Sequence, residues 1–308
     1  MIINDIELVK LYCQIDEFCK KFIPIWQRNL IESNKHKKIR KQRKDSLDYG
    51  EIMTILILYN SSSYSCFKYF YLDFALKNLK EFFPNMPCYD RFTILQKKAF
   101  IPLLSFLLHI CRKSKRTGLY YIDSTYMEVC RNQRIYRHKT FKNIAKRGKT
   151  SVGWFFGFKL HIVINQMGEI LNLNVTKGNI SDSKAAKSIA QNLIGKLFGD
   201  KGYLGQELKN DLLKNGLELF TRVRKNMKQK FISRINQFLL SKRGVVETVI
   251  GQFKTRYNMI STRYRTPANY FMNIISAVTA YQLNPRKPRI NINQIDNENL
   301  ISNALVKI

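Results

Sequence analysis

Acidic residues are scarce in this 308-residue chain. Asp and Glu total 22 against 53 Lys and Arg, so the formal net charge is +31. A chain this short of its own counter-charge repels itself, and the partner that offsets it is a polyanion, either nucleic acid or an anionic membrane. Glycine and proline are also sparse, at 14 and 7, while 45% of residues are hydrophobic and 12% aromatic. That balance excludes disordered, collagen-like and low-complexity classes. Long apolar runs are missing. The longest near-apolar run, Ala99 to Cys111, falls short of the roughly 20 residues a membrane span needs. No basic region precedes an apolar stretch at the N-terminus, so no signal peptide is expected and the expected location is cytoplasmic. Cysteine is modest at six, with no Cys-x-x-Cys pair. These read as free thiols in a reducing compartment. The four histidines are scattered, which argues against a zinc site.

What is abundant is clustered. Lys35 to Lys44 holds seven Lys or Arg and no acid, Arg131 to Thr150 holds eight, and Leu219 to Val246 another eight. Any one run is compatible with a solvated surface. Three together fit an extended phosphate-binding surface, whose affinity falls steeply with salt as counterions are released. Arg131, Arg134, Arg137 and Lys139 in the second run are candidate DNA contacts. Tyr136, Phe141 and Phe231 are interleaved with the cations. They can stack on splayed bases, although core packing is the commoner role of such residues.

At about 100–200 residues per domain the length allows two domains. Residues 1–115 read as helical. Ile6 to Phe22 is an amphipathic run interrupted at Pro24, Asp48 caps a helix over Tyr49–Tyr59, Asp90 caps another through Lys98, and Ile101–Arg112 is a buried helix. Residues 116–284 alternate differently. Leu119–Asp123 reads as a strand, and Trp154–Asn165 and Ile170–Thr176 as a hairpin. Asp182 caps a helix to Ile194, and a strand over Lys196–Gly199 ends at Asp200. A helix closed by Asn215-Gly216, a strand at Glu218–Val223 and a long helix from about Gln237 to Met259 complete the order. This predicts an α/β domain with a mixed sheet flanked by helices, after a mostly helical N-terminal domain. Residues 285–308 read as a polar tail.

Isolated acids in basic surroundings are the sharpest signal. From Arg91 to Gly168 the only acids are Asp123 and Glu128, and from Leu219 to Ile295 the only acid is Glu247. Asp123 and Asp200 are expected at strand ends, where open α/β sheets bind ligands. Glu247 is expected on a helix able to cross the same place. Three carboxylates at one point repel unless cations neutralise them, and hard oxygen donors suit Mg²⁺ or Mn²⁺. Two such ions can activate the attacking oxygen and stabilise the leaving one in phosphodiester displacement. Each acid also has a plainer reading. Asp123 can cap a turn with Ser124 and Thr125, Asp200 can serve a turn at Lys201-Gly202, and Glu247 can pair with Arg243 one helical turn back. Arg243, Glu247 and Lys254 are spaced +4 and +7, which sets them on one face of the long helix. Gly251 between them allows a close approach.

With these residues in view the chain resembles the DDE transposases of bacterial insertion sequences. The resemblance rests on Tyr121-Ile122-Asp123-Ser124-Thr125, Gly157-Phe158-Lys159-Leu160-His161, Thr176-Lys177-Gly178-Asn179 and Gly199-Asp200-Lys201-Gly202-Tyr203. One branch of that family carries a Y-(2)-R-(3)-E-(6)-K signature. Arg243, Glu247 and Lys254 match its last three positions, and Leu240 stands at the tyrosine position. The resemblance implies an RNase H-like catalytic domain over roughly 116–284. It implies Asp123, Asp200 and Glu247 as catalytic residues holding two Mg²⁺, with Arg243 and Lys254 on phosphates. Lys201, Tyr203 and His161 are further cleft candidates. The implied activity is hydrolysis at the terminal inverted repeats of the element and joining of the freed 3′-hydroxyls to target DNA. The implied partners are double-stranded DNA and a second copy of the chain. A nuclease of the same fold, and a DNA-binding remnant of a dead element, are the two alternatives. Only 46 residues separate Asp200 from Glu247, which leaves no room for a large insertion there. The basic stretch between Asp123 and Trp154 is expected to grip DNA near the site.

Overall fold

A computed structural model describes residues 4–33, 45–151, 153–222, 232–259 and 264–291. The basic run at 35–44, the middle of the 219–246 run and the tail beyond 291 lie outside the described residues. The described chain divides into two compact units. One comprises residues 1–110 and 253–283, the other 111–252 and 284–308.

In chain order the first unit begins with α1 (Asp5–Ser33) and α2 (Tyr49–Ser61). Then come α3 (Phe67–Tyr69), a π-helical turn (Phe70–Ala75) and α4 (Leu76–Asn78). Next are α5 (Tyr89–Leu95), a 3₁₀ turn (Gln96–Ala99) and α6 (Phe100–Arg112). Helix α1 is continuous through Pro24, where the sequence predicted a break. Pro24 is exposed, so the carbonyl its ring leaves without a donor is open to water. Asp48 caps α2 as expected. Its Oδ1 accepts from the Glu51 N–H at 2.8 Å while Glu51 Oε2 accepts from the Asp48 N–H at 2.7 Å, a reciprocal pair that satisfies two end donors. Asp90 is not a cap. Cys88 holds that position and Asp90 sits in the first turn of α5, where its charge suits the helix dipole. The stretch Tyr89–Arg112 is long and apolar enough by composition to cross a membrane, and half of its most apolar window is buried inside the protein.

The second unit is built on a six-stranded sheet: β1 (Leu119–Cys130), β2 (Lys146–Lys149), β3 (Trp154–Asn165), β4 (Ile170–Lys177), β5 (Gly195–Gly199) and β6 (Leu217–Thr221). Strand β1 pairs antiparallel with β3 on one side and parallel with β5 on the other, and β5 pairs parallel with β6. The outer edge of β3 is shared: β2 pairs with residues 154–157 and β4 with residues 158–164. Helices α7 (Asp182–Ile189) and α8 (Gln206–Lys214) make the two crossovers. This is the expected RNase H-like mixed sheet. The short strand β2 was not anticipated from the sequence, because Lys146-Arg147-Gly148-Lys149 carries no strand-type alternation.

The two faces of the sheet follow from strand alternation. Tyr120 and Ile122 of β1 join Val163, Ala186, Ile189, Leu208 and Leu212 in one buried cluster, on the α7 and α8 face. Tyr121 faces the other way and donates its hydroxyl to the Leu239 carbonyl of α9 (Arg234–Ser241) at 3.2 Å. The long helix predicted to Met259 is two helices. Helix α9 stops at Ser241, and α10 runs Gly244–Thr255. Gly244 at the joint is a poor helix interior residue.

The last helix, α11 (Pro267–Leu283), packs on α2 in the first unit. The sequence reading had placed residues up to 284 with the sheet. Both α2 and α11 are apolar around most of their circumference and almost wholly buried, as core helices are. Asn60 Nδ2 donates to Ser276 Oγ at 2.7 Å between them.

Candidate active site

Strand alternation turns Asp123 to the α9 face of the sheet. The sequence reading placed this residue at the end of its strand, but β1 continues for seven residues beyond it. What ends nearby is the parallel ladder, since the last β1–β5 pair is Tyr121–Phe198. Asp123 therefore lies where β5 has parted from β1, a notch of the kind in which mixed sheets bind ligands. Asp200 follows directly on Gly199, the end of β5. Glu247 is in the first turn of α10.

These three carboxylates come from distant parts of the chain and meet at one guanidinium. Arg243 Nη2 donates to Glu247 Oε1 at 2.6 Å. Its Nη1 lies 3.6 Å from Asp123 Oδ2, and Nη2 lies 3.9 Å from Asp200 Oδ1. The Arg243 side chain is only 13% exposed, against 20% for Asp123, 48% for Asp200 and 54% for Glu247. Arg243 does not belong to the helix that carries Glu247. It sits in the joint between α9 and α10, so the single helix face expected for Arg243, Glu247 and Lys254 is corrected. The joint frees the Arg243 backbone from helical geometry and lets its side chain turn toward β1. Its buried Nε makes no hydrogen bond among the described residues.

Asp123 is the acid most altered by this setting. Burial pushes its carboxyl up to about 6, against the Ser124 N–H and the Arg243 guanidinium, which hold it down; Glu247 and Asp200 add a further upward push. The Ser124 N–H donates to Asp123 Oδ1 at 2.8 Å. All three acids offer hard oxygen donors toward one place, which fits a divalent cation in kind. Among the described residues no group of three His, Cys, Asp or Glu closes tightly enough to hold an ion as it stands. The three acids stand around the Arg243 guanidinium, which occupies the place between them.

The other expected site residues divide into buried and exposed. His161 and Tyr203 are buried and offer no atom to a DNA cleft. Both lie behind the acids. Burial holds the His161 imidazole down to about 4, so it is neutral, and its Nε2 shares a 2.8 Å hydrogen bond with Thr176 Oγ1. Burial, then the fields of Asp123 and Asp182, raise the Tyr203 phenol well above its ordinary value. Lys201 is exposed in the turn after Asp200, and Lys254 is exposed two turns along α10 from Glu247. Leu240, at the signature tyrosine position, is buried in α9. No described residue comes within 4 Å of the place where a Cβ of Gly251 would stand. Arg131, Arg134, Arg137 and Lys139 are all exposed, in and beside the 3₁₀ turn Asn132–Arg137. Tyr136 in that turn is 93% exposed. Phe141 is buried, in keeping with packing, and Phe231 lies outside the described residues. Ser124, beside Asp123, and Lys159 and Asp182, behind the sheet from it, were not expected in any site role. The sequence carried a signal for the first two, inside the quoted motifs, but Asp182 read only as a helix cap.

Comparison with known proteins identifies the family. Residues 113–267, just over half of the chain, match the family model described as a transposase DDE domain. No curated protein matches the chain. Among solved structures, the chain is similar to a piggyBac transposase synaptic complex with hairpin DNA. Identity there is 10% and the TM-score 0.45, with 89% of this chain and 72% of that chain covered. It is also similar to a Mos1 transposase paired-end complex with the left transposon end, at 11% identity and a TM-score of 0.23, with 83% and 87% covered. The family match spans the sheet and all three converging acids, and the chain belongs to the DDE transposases.

Proposed function

We propose that this chain is the transposase of an insertion element, binding the element's terminal inverted repeats, hydrolysing the phosphodiester at each end and joining the freed 3′-hydroxyls to target DNA. The observation that carries this is the convergence of Asp123, Asp200 and Glu247 on Arg243 from β1, the end of β5 and α10. Asp123, Asp200 and Glu247 would hold two Mg²⁺, with Mn²⁺ as substitute, and bound ions would supply activation of the attacking oxygen and stabilisation of the leaving one. The chain's own residues supply the rest. Strands β1 and β5 fix two carboxylates on a rigid frame, and Arg243 gives the acids a cation of their own. Lys201, Lys254 and the exposed run Arg131, Arg134, Arg137 and Lys139 offer positive charge to the DNA backbone. The helical region over residues 1–115 is the proposed end-binding part. Synapsis of two ends calls for two copies of the chain, hence a homodimer on DNA.

The test is a Mg²⁺-dependent reaction on a labelled duplex carrying the element's end joined to flanking DNA. Wild type runs beside Asp123→Ala, Asp200→Ala and Glu247→Ala, with a gel shift on all four. Cleavage and joined products in wild type alone, with binding kept in all four, are expected. Cleavage without joining points to a nuclease of the same fold. Binding without cleavage in both Mg²⁺ and Mn²⁺ points to an inactive remnant. Activity that survives in any one variant removes that acid from the site.

A further inference from the structure

Asp182 does not do what its sequence position suggests. It is the first residue of α7, after the capping residue Ser181, and no side-chain cap closes the helix start. The Asp182 carboxylate instead leaves its own helix and reaches the sheet. Its Oδ1 accepts from Ser124 Oγ at 3.0 Å and from Lys159 Nζ at 3.1 Å. Lys159 Nζ also donates to the Ile180 carbonyl at 3.1 Å, which ties the loop before α7 to β3. The neutral His161 ring lies close, with Nδ1 3.9 Å from the same oxygen.

Ser124 is the link. Its hydroxyl points to the α7 face and meets Asp182. Its backbone N–H donates to Asp123 Oδ1 on the site side. Strand β5 has already parted from β1 at this level, so no ladder on that edge fixes Asp123. Asp182 also underlies the other acid-bearing turn. A Cβ at Gly202, two residues after Asp200, would stand 3.2 Å from Asp182 Oδ2. One carboxylate behind the sheet is thus bonded to the strand that carries Asp123 and lies against the turn that follows Asp200. The motifs over 121–125, 157–161 and 199–203 each place a residue against it: Ser124, Lys159 and Gly202.

We infer that Asp182 is a positioning residue, acting through the Ser124 hydroxyl to set the Asp123 carboxylate and, beneath Gly202, the turn that presents Asp200. The inference rests on the function proposed above. Groups that orient the ligands of an ion typically change affinity or rate 10- to 100-fold when removed, and a misplacement of about 1 Å is enough to cost ~100-fold in rate.

The experiment uses the full chain and the end duplex. For wild type, Asp182→Asn, Ser124→Ala, Ser124→Thr and the Ser124→Ala/Asp182→Asn double variant, it measures cleavage rate at saturating DNA, DNA affinity by gel shift, and Mn²⁺ affinity by electron paramagnetic resonance. Asp182→Asn and Ser124→Ala are expected to lower the rate and the Mn²⁺ affinity about 10- to 100-fold while leaving DNA affinity within about twofold. The double variant is expected to be no worse than the poorer single one, as for groups acting in series. Ser124→Thr keeps the hydroxyl and recovers most of what Ser124→Ala loses. Wild-type rate and Mn²⁺ affinity in Asp182→Asn overturn the inference. So does a defect absent from Ser124→Ala and reversed by adding Lys159→Met, which would make Asp182 a mere counter-charge for Lys159. If Asp182→Asn does not fold, the Ser124 pair alone decides. Wild-type cleavage lost in Asp123→Ala keeps the proposed function standing whatever Asp182→Asn does. A wild type that neither cuts nor takes up Mn²⁺ removes both.

Discussion

Arg243 and Glu247 are joined by a 2.6 Å hydrogen bond, yet only Glu247 is helical. An exposed pair of this spacing within one helix is worth only a few tenths of a kcal/mol. Here the cation sits outside the helix, is largely buried, and serves Asp123 and Asp200 as well.

That sharing predicts competition between the guanidinium and a divalent ion. Arg243→Met removes the acids' own cation and raises the Asp123 carboxyl further above about 6, since Arg243 is one of the groups holding it down. In EDTA the variant is expected to melt below wild type. Mg²⁺ is expected to bind the variant on the order of tenfold more tightly, an extra ~1.4 kcal/mol of ligand stabilisation. Thermal melts with and without Mg²⁺ read both. An equal Mg²⁺ effect in the two proteins means that the ion and the guanidinium do not share the place.

Asp123 sets a stability cost with a defined pH window. Its folded carboxyl titrates at about 6 against an ordinary 3.8. The folded state therefore holds the proton more tightly, and the stability this contributes is present below about 3.8 and lost as pH rises through about 6. Asp123→Asn keeps position 123 neutral at every pH. It is expected to be more stable than wild type in EDTA at pH 7.5, by on the order of 1–3 kcal/mol, and equal to it near pH 3.5. Denaturant melts at the two pH values check this. A constant difference across pH means that Asp123 ionises without strain.

The exposed cations beyond β1 predict a salt signature. Arg134→Ala and Arg137→Ala together remove two cations from the 3₁₀ turn Asn132–Arg137. If both meet phosphates, the slope of log affinity against log salt falls by about 2, with little change in sequence preference. Fluorescence anisotropy over a salt series measures it. An unchanged slope takes this turn off the DNA.

Gly157 predicts a packing limit. It lies in β3 opposite Glu128 of β1, and a Cβ there would stand 2.0 Å from the Met127 carbonyl oxygen. Backbone cannot give way as a side-chain tip can. Gly157→Ala is expected to cost about 1–3 kcal/mol by overpacking, read by chemical denaturation. Gly251→Ala, with open space at that position, is the contrasting control and is expected to be neutral or slightly stabilising.

Local chemistry was legible where it was self-contained. The Asp48 cap and the hairpin of Trp154–Asn165 with Ile170–Thr176 need only near neighbours, and each formed where the residues indicate. The acids stood out for a global reason, because scarcity in a basic chain is visible without a fold. Pro24 misled because an exposed carbonyl can be hydrated, which periodicity does not register. The run to Met259 misled because an apolar pattern continues across a break at Lys242-Arg243.

By itself, then, the sequence determined the kinds of element, the excess of positive charge and which carboxylates were available. The tertiary structure decided how they are used. Sheet packing decided that Asp123 faces α9 and Ser124 faces α7, and the early parting of β5 left Asp123 paired on its β3 side and open on the other. The break between α9 and α10 released Arg243 to three acids, and the turn of Asp182 away from its own helix made it a brace. Each of these depends on residues dozens of positions apart meeting within hydrogen-bonding or ion-pairing distance. Such contacts are set by the pairing of strands and the crossing of helices over them, which local propensity does not encode.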